Sequence, residues 1–223
     1  MSVMRPARRS YGGVAAPERS ARRRAALIDA ALDVLTASGV STVTKKAVCA
    51  RARLNDRYFY EHFTDRDALL RAVAQDITGQ GLEVLIAATL EAPPDIRAQV
   101  HAAAEAALDF MIADPRRAQV LLVSHTDEVL QQARLASTRA VADAMAAMTR
   151  ELLGDSAPSQ LDTDLASFTL VSGTMELVAA WLRGDFNVSR EHLADLVAAL
   201  LLAASDVSTT LPSHQQAHPP TSE

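Results

Sequence analysis

The chain has 223 residues, of which 49% are apolar and only 8 are Gly and 9 are Pro, so it can bury a sizeable core and has a soluble, helix-rich composition. Its net charge of −5 is unevenly divided: residues 1–72 hold 14 Lys or Arg against 7 Asp or Glu, whereas residues 73–223 hold 8 against 20. A first part at +7 keeps nucleic acid among the candidate partners, because local neutralisation of phosphates sets affinity for a duplex. The single cysteine, Cys49, excludes a disulfide framework and suits a reducing compartment.

Residues 1–17 contain three arginines among Pro and Gly and show no apolar period, which predicts a disordered basic arm. Such an arm could reach a groove of DNA, or it could be an ordinary flexible tail. From Glu18, apolar residues recur every three and four positions as far as Leu35, and Gly39 ends this first helix. Its first turns carry Arg19, Arg22, Arg23 and Arg24. The helix dipole disfavours positive charge there, so either nearby phosphates or a solvated charged face would account for them.

A short second helix is predicted to follow Thr44, whose hydroxyl can accept hydrogen bonds from the free amides of a first turn. Val43 can pack on Val48 as a hydrophobic staple. The chain then turns a corner before Leu54. Small and apolar residues, Cys49 among them, supply the buried side of this helix. We therefore expect Cys49 to be a packing residue, with a redox switch as the lesser alternative.

Asn55 and Asp56 offer the cap of a third helix that we expect to run to Phe63. Phe59 and Phe63 lie four residues apart and share one face, so both are assigned to the core. The other faces carry Arg57, Tyr58, Tyr60 and His62. Such a concentration of aromatic and basic side chains on one short helix is unusual in a chain of which only 4% is aromatic, and it predicts a contact surface. Segment 44–63 is therefore predicted to be a helix-turn-helix.

The block FYEHF at residues 59–63 and the run FTDRDALL at residues 63–70 resemble two motifs of the TetR/AcrR family of helix-turn-helix transcriptional regulators. The preceding helix is similar at Leu27, Ile28, Ala30, Ala31 and Gly39. The resemblance spans residues 19–74 and departs from the family at three positions: Lys45 replaces an apolar residue, Arg53 replaces Gly and Tyr58 replaces a small residue. A residue other than Gly at a left-handed corner costs roughly 1 kcal/mol, which is tolerable.

The later helices are predicted from their caps and breaks. Thr64 to Asp67 resembles a capping box for a fourth helix, which Gly79 and Gly81 are expected to kink or interrupt. Asp95 after two prolines caps a fifth helix, and Asp114-Pro115 starts a sixth. The predicted ranges of the fifth to eighth helices are 96–113, 115–123, 126–153 and 162–183, and Ser189 caps the ninth.

The eighth helix is apolar nearly all round, and its run 165–182 is the most membrane-like in the chain. Because Glu176 lies within that run, we expect a buried helix of a soluble protein and no membrane partner. Too little chain remains to cover the last two helices, which predicts a homodimer through a four-helix interface. The residues assigned to it are Leu170, Gly173, Leu177, Trp181, Leu193, Leu196 and Leu200.

These elements predict an all-α fold of about nine helices, with a three-helix helix-turn-helix head on a larger helical body. The predicted domains are a basic arm at 1–17, a DNA-binding domain at 18–75, a ligand-binding and dimerisation domain at 76–204, and a disordered tail at 205–223. No cofactor is predicted, and His214 and His218 in the tail make a poor metal site without further ligands.

A dimer of such heads would place its two recognition helices in successive major grooves of double-stranded DNA, about 34 Å apart, and so would bind a palindrome. We assign phosphate contacts to Thr44, Lys45 or Lys46, Tyr60, His62 and Arg66. Base reading is assigned to Arg57 and Tyr58, followed by Arg53 and Asn55. Asp56 could accept from cytosine, although a capping role is preferred.

The resemblance also implies an apolar cavity in the body, whose small-molecule ligand changes the separation of the heads and releases DNA. Candidate lining residues are Phe110, Met111, Leu121, His125, Met145, Phe168 and Met175, which could equally be ordinary core. The function expected is a ligand-responsive, cytoplasmic transcriptional repressor. An enzyme is disfavoured because the sequence has no phosphate loop, nucleophile motif or paired-histidine metal motif. The alternative is a ligand-binding or protein-interaction module that lacks sequence-specific DNA binding.

Overall fold

The computed structural model describes residues 16–123, 125–154 and 157–210, and for residues 123 and 204–210 it describes the backbone alone. All regular elements in these ranges are helical, which confirms the predicted all-α fold. The nine α-helices are α1 (Ala16–Ser38), α2 (Lys45–Ala52), α3 (Asp56–Tyr60), α4 (Arg66–Glu91), α5 (Ile96–Ala113), α6 (Pro115–Val123), α7 (Glu128–Leu153), α8 (Gln160–Arg183) and α9 (Arg190–Thr210). A single turn of 3-10 helix, Val40–Thr42, joins α1 to α2.

The chain divides into two compact units between Leu69 and Leu70, within α4. The predicted boundary, after residue 75, lies a few residues further along the same helix. Most of the predicted basic arm, residues 1–15, lies outside the described residues, and Ala16 and Pro17 belong to α1.

In the first unit, local capping chemistry fixes where the short helices begin. The Thr44 hydroxyl accepts from the amide of Ala47 at 3.2 Å, and the Asn55 side chain accepts from the amide of Tyr58 at 3.4 Å. Both are the bonds that an N-cap makes, so both predicted caps are confirmed. The core beneath them is formed by apolar residues of α1 and of the motif, including Leu27, Leu35, Val43, Val48 and Phe59.

Several helix bounds differ from the predicted ones. The first helix begins at Ala16 rather than Glu18, α7 at Glu128 rather than about residue 126, and α8 at Gln160 rather than about residue 162. The third helix ends at Tyr60 rather than Phe63. The cap of α4 is Asp65 rather than Thr64, because the Asp65 carboxylate accepts from the amide of Ala68 at 2.7 Å. At the other end of the chain, α9 continues to Thr210, so the tail predicted from residue 205 begins with helix. Residues 211–223 lie outside the described residues.

The predicted interruption of α4 at its two glycines is wrong, since the helix is continuous from Arg66 to Glu91. A Cβ placed on Gly81 would lie 3.3 Å from the Phe110 ring, whereas one on Gly79 would meet nothing within 4 Å. Gly81 therefore permits a close approach of α4 and α5 within the second unit.

The second unit is a helical body in which α5 packs on α9 and α7 packs on α8. One buried cluster joins α5, α8 and α9 through Leu108, Val178, Leu193 and Val197. The caps of α5, α7 and α8 are Asp95, Asp127 and Ser159, each accepting from an amide of its helix's first turn. Within the described residues, α8 is the one helix long and apolar enough to cross a membrane, by length and composition only, and 22% of its most apolar window is buried.

Candidate nucleic-acid interface and ligand cavity

The turn between α2 and α3 is built around a residue in the left-handed conformation. Arg53 has φ 55° and ψ 39°, and it is the only described residue other than Gly with a positive φ. Its amide donates to the carbonyl of Ala50, which closes the end of α2. The backbone thus turns sharply while the Arg53 side chain remains exposed at the corner.

Lys45 ties the two helices of the motif together. Its Nζ lies 2.6 Å from a carboxylate oxygen of Asp56 and donates to the Tyr60 hydroxyl at 3.4 Å. It also lies 4.9 Å from the centre of the Tyr60 ring. The hydrogen bond to Asp56 and then the one to Tyr60 raise the pKa of Lys45. Lys45 therefore joins α2 to α3.

Phe59 anchors α3 to the core, as predicted. Its side chain is 1% exposed, and its ring centroid lies 5.8 Å from that of the buried Phe63. The neighbouring Tyr60 ring meets Phe59 edge-on at 5.7 Å but is 61% exposed. One buried ring thus fixes α3 while the next one on the helix projects into solvent.

Arg57 is a strongly exposed candidate base-reading residue. Its side chain is 83% exposed, and its Nε donates to a carboxylate oxygen of Glu61 at 3.2 Å. Asn55 is also exposed, but its side-chain oxygen is engaged in capping α3. Arg57 can therefore turn to another partner without undoing the fold.

Tyr58 lies against α1 rather than standing free. The Arg23 guanidinium is 4.6 Å from the centre of the Tyr58 ring, and one of its terminal nitrogens lies 3.6 Å from Glu61. Glu61 in turn binds Arg57, so an arginine of α1 is connected to the candidate reading residue. Sequence reasoning recognised the arginine-rich start of α1 but did not identify Arg23 as the one that contacts α3.

Arg66 has a structural role that the sequence did not reveal. Its guanidinium donates to the backbone carbonyls of Val40 and Val43, both at 3.0 Å, and to Asp67 at 3.1 Å. These bonds fasten the start of α4 to the 3-10 turn. The predicted phosphate contact did not anticipate this arrangement, in which backbone carbonyls already hold the guanidinium.

The remaining predicted phosphate contacts divide into exposed and half-buried residues. Lys46 and Thr44 are exposed, although the Thr44 hydroxyl caps α2. His62 is half-buried, and its Nε2 is buried with no hydrogen-bond partner among the described residues.

Cys49 is buried in α2, and desolvation raises the pKa of its thiol, which makes it the inert packing residue expected.

A cavity of about 360 Å³ lies in the second unit between α4, α5, α6, α7, α8 and α9. Five of the seven predicted lining residues are on its walls: Phe110, Met111, Leu121, Met145 and Met175. The other two are not. His125 is exposed near Glu176, and Phe168 faces outward with the Arg139 guanidinium 5.8 Å from its ring centre.

The predicted interface residues also separate. Leu193 is 1% exposed and packs in its own chain against α5, so it is unavailable to a partner, and Leu170 lines the cavity. Leu177 and Trp181 pack partly on the same core. Gly173, Leu196 and Leu200 are exposed. Three apolar residues that the prediction omitted are exposed on the outer side of α8: Leu161, Leu165 and Phe168.

Among the described residues, no three His, Cys, Asp or Glu side chains are grouped so that they could hold a metal ion.

Residues 27–73 match the model of the bacterial regulatory proteins of the tetR family. Comparison with curated proteins gives no match. Among solved structures, the chain is similar to the fatty acid degradation regulator FadR from Bacillus halodurans, with 20% identity, a TM-score of 0.65, and coverage of 81% of this chain and 94% of that one. The chain is also similar to the regulator FadR from Bacillus subtilis in complex with stearoyl-CoA, with 19% identity, a TM-score of 0.66, and coverage of 81% of this chain and 98% of that one. A third similar structure is that of a TetR-like transcriptional regulator from Rhodococcus sp. RHA1, with 24% identity, a TM-score of 0.58, and coverage of 81% of this chain and 93% of that one.

Proposed function

We propose that the chain, in which residues 27–73 match the model of the bacterial regulatory proteins of the tetR family, is a repressor that a small apolar effector releases from a palindromic operator. The observation that carries the proposal is the split of roles on α3. Phe59 is buried and fixes the helix, while Arg57 and Tyr60 are left exposed beside the exposed Arg53. An unburied guanidinium on a rigid short helix suits the two acceptors of guanine in a major groove.

We assign base reading to Arg57 first, with Arg53 and the half-buried Tyr58 beside it. Phosphate contacts are assigned to Lys46, Tyr60 and the backbone amides at the capped start of α2. Arg66 is removed from this set because the carbonyls of residues 40 and 43 already hold it. The local charge of +7 in residues 1–72 supports attraction to a duplex even though the whole chain is acidic.

A homodimer through α8 and α9 is the second part of the proposal. Leu196 and Leu200 are 40% and 47% exposed one turn apart on α9, and Leu161, Leu165 and Phe168 are exposed on α8. Within α8, Glu176 is paired with Arg134 of α7, so the exposed apolar residues occur on a helix that also carries an ion pair. A second copy of the chain suits such a surface better than lipid does, because a carboxylate in lipid is costly. Two copies also supply the two-fold symmetry that a palindrome requires.

The third part is control by a ligand in the cavity. A ligand shifts an equilibrium only by its difference in affinity for the two states. If it favours the DNA-free state by about 3 kcal/mol, affinity for the operator falls about a hundredfold. The likeness to FadR of Bacillus subtilis, solved with stearoyl-CoA, supports a ligand site in this body without specifying its occupant.

The proposal is tested by selecting duplexes from a random pool with the full-length protein and then titrating the selected duplex at several salt concentrations. We expect a palindromic consensus, and a logarithm of affinity that falls linearly with the logarithm of salt concentration. Small molecules are then screened for release of that duplex. A protein that enriches no sequence and binds duplexes without preference would instead support the alternative, a ligand-binding or interaction module without sequence-specific DNA binding.

A further inference from the structure

The cavity is long and its walls are almost entirely hydrocarbon. Along α4 its lining extends from Ile77 to Thr89. Twelve steps at 1.5 Å per residue make that wall about 18 Å long. Most of the lining consists of Leu, Ile, Val, Met and Ala side chains. Such a space suits an extended aliphatic chain, because each methylene buried there leaves water.

The charges around the cavity disfavour an anionic ligand inside it. None of the described residues that line it is Lys, Arg or His. Among the described lining residues the single ionisable group is Asp162, at the start of α8, whose carboxylate accepts from the Ser159 hydroxyl at 2.7 Å. A ligand carboxylate taken into this space would therefore be desolvated with no cation to pair with.

Four polar residues of the cavity wall make no side-chain hydrogen bond among the described residues, and Ser167 is the buried one of the four: Gln99, Thr149, Ser167 and Thr174. Thr78, Thr89 and Thr163 donate their hydroxyl protons to carbonyls one turn earlier in their helices. Ser167 is 2% exposed and lines the cavity, yet its hydroxyl has no hydrogen-bond partner among the described residues. Since buried hydroxyl groups are nearly always hydrogen-bonded, a ligand group is a natural partner for it.

We propose that the cavity binds an uncharged long-chain aliphatic molecule with one polar head group, and that Ser167 makes the hydrogen bond to that head group. The effector role of this molecule rests on the proposed function, but its binding does not. This ligand class differs from the acyl-CoA bound by FadR of Bacillus subtilis, which is an anion. The difference follows from the lack of a basic residue in this chain's described lining.

The probes are decan-1-ol and decanoate, which share a chain length and differ in the charge of the head group. Each is titrated into the full-length protein without DNA by isothermal titration calorimetry at pH 8. We expect decan-1-ol to bind once per chain and decanoate to bind at least about a hundredfold more weakly, because its charge would be buried unpaired. Decanoate binding should strengthen as the pH falls, since protonation removes the charge.

The role of Ser167 is tested with Ser167→Ala, and Ser172→Ala on the same helix is the matched control because Ser172 does not line the cavity. Losing one hydrogen bond should weaken decan-1-ol binding about threefold to tenfold in the first variant and leave it unchanged in the second. Decanoate binding as tightly as decan-1-ol, no binding of decan-1-ol, or an unaltered affinity in Ser167→Ala would each overturn the proposal.

The two proposals fail in different ways. A protein that selects a palindrome but does not bind decan-1-ol would overturn the ligand class and leave DNA binding intact. A protein that binds decan-1-ol yet keeps its duplex would overturn release by an effector and leave the ligand class intact.

Discussion

Replacing Arg57 with Ala should separate DNA recognition from folding. The side chain is 83% exposed, and among the residues that the structure describes its one partner is Glu61, four residues along the chain. Ion pairs of this spacing on a helix surface contribute about 0.3–0.5 kcal/mol. Thermal unfolding of Arg57→Ala should therefore be nearly that of the wild type.

The effect on recognition should be much larger. A two-bond contact of an arginine with guanine discriminates by about 1–3 kcal/mol, and about 1.4 kcal/mol corresponds to tenfold in affinity. At one base position in each half-site, preference should fall by roughly fivefold to 150-fold. At the other positions it should be unchanged.

The assay compares wild type and Arg57→Ala in selections from one random pool, followed by competition titrations with duplexes that differ at single positions. Arg97→Ala, an exposed arginine of α5 in the second unit, is the control for loss of a guanidinium. If Arg57→Ala weakened all duplexes equally, Arg57 would be a phosphate contact and the reasoning about base reading would be refuted. An unchanged consensus at every position would refute it as well.

Three further outcomes are expected. Leu196→Glu combined with Leu200→Glu should convert a dimer to a monomer in analytical ultracentrifugation, because both glutamates would place a charge in the proposed interface. A dimer that persists would contradict that surface. Arg66→Ala should lower the free energy of unfolding by about 2 kcal/mol, because two backbone carbonyls lose a charged donor; a loss under about 0.5 kcal/mol would contradict this. Asp56 raises the pKa of Lys45, so the stabilising effect of Lys45 should be present below the ordinary lysine pKa of about 10.4 and lost as the pH rises through the raised value. The difference in melting temperature between wild type and Lys45→Met should accordingly shrink in strong alkali.

Features set by neighbours in sequence were predictable. The caps at Thr44 and Asn55 depend on amides three residues away, and the core position of Phe59 depends on its spacing from Phe63. Local chemistry was nearly sufficient for α4 too, where the cap is one residue from the predicted one. These interactions have short sequence separation, so residue type and spacing nearly determine them.

Features set by tertiary contacts were not predictable. Helical periodicity on α9 identifies Leu193 and Leu196 as apolar but cannot tell which of them faces the chain's own core. Packing of α5 on α9 settles that question in favour of Leu193. In the same way, Gly81 has the residue type of a helix interruption, and only the Phe110 ring beside it shows why a glycine fits within a continuous helix there.

The same distinction decides which polar residues of the first unit are available to DNA. Thr44 and Asn55 accept the cap bonds through their side-chain oxygens, Lys45 joins two helices, and Arg66 holds a turn, so the fold already fixes the position of each of these groups. Arg57 would give up one solvent-exposed ion pair. An operator contact made by Arg57 therefore displaces only that exposed pair, whereas one that drew Arg66 away from its turn would first have to offset the loss of its carbonyl bonds. Residue type makes all of these side chains candidates, and the hydrogen bonds already formed rank them.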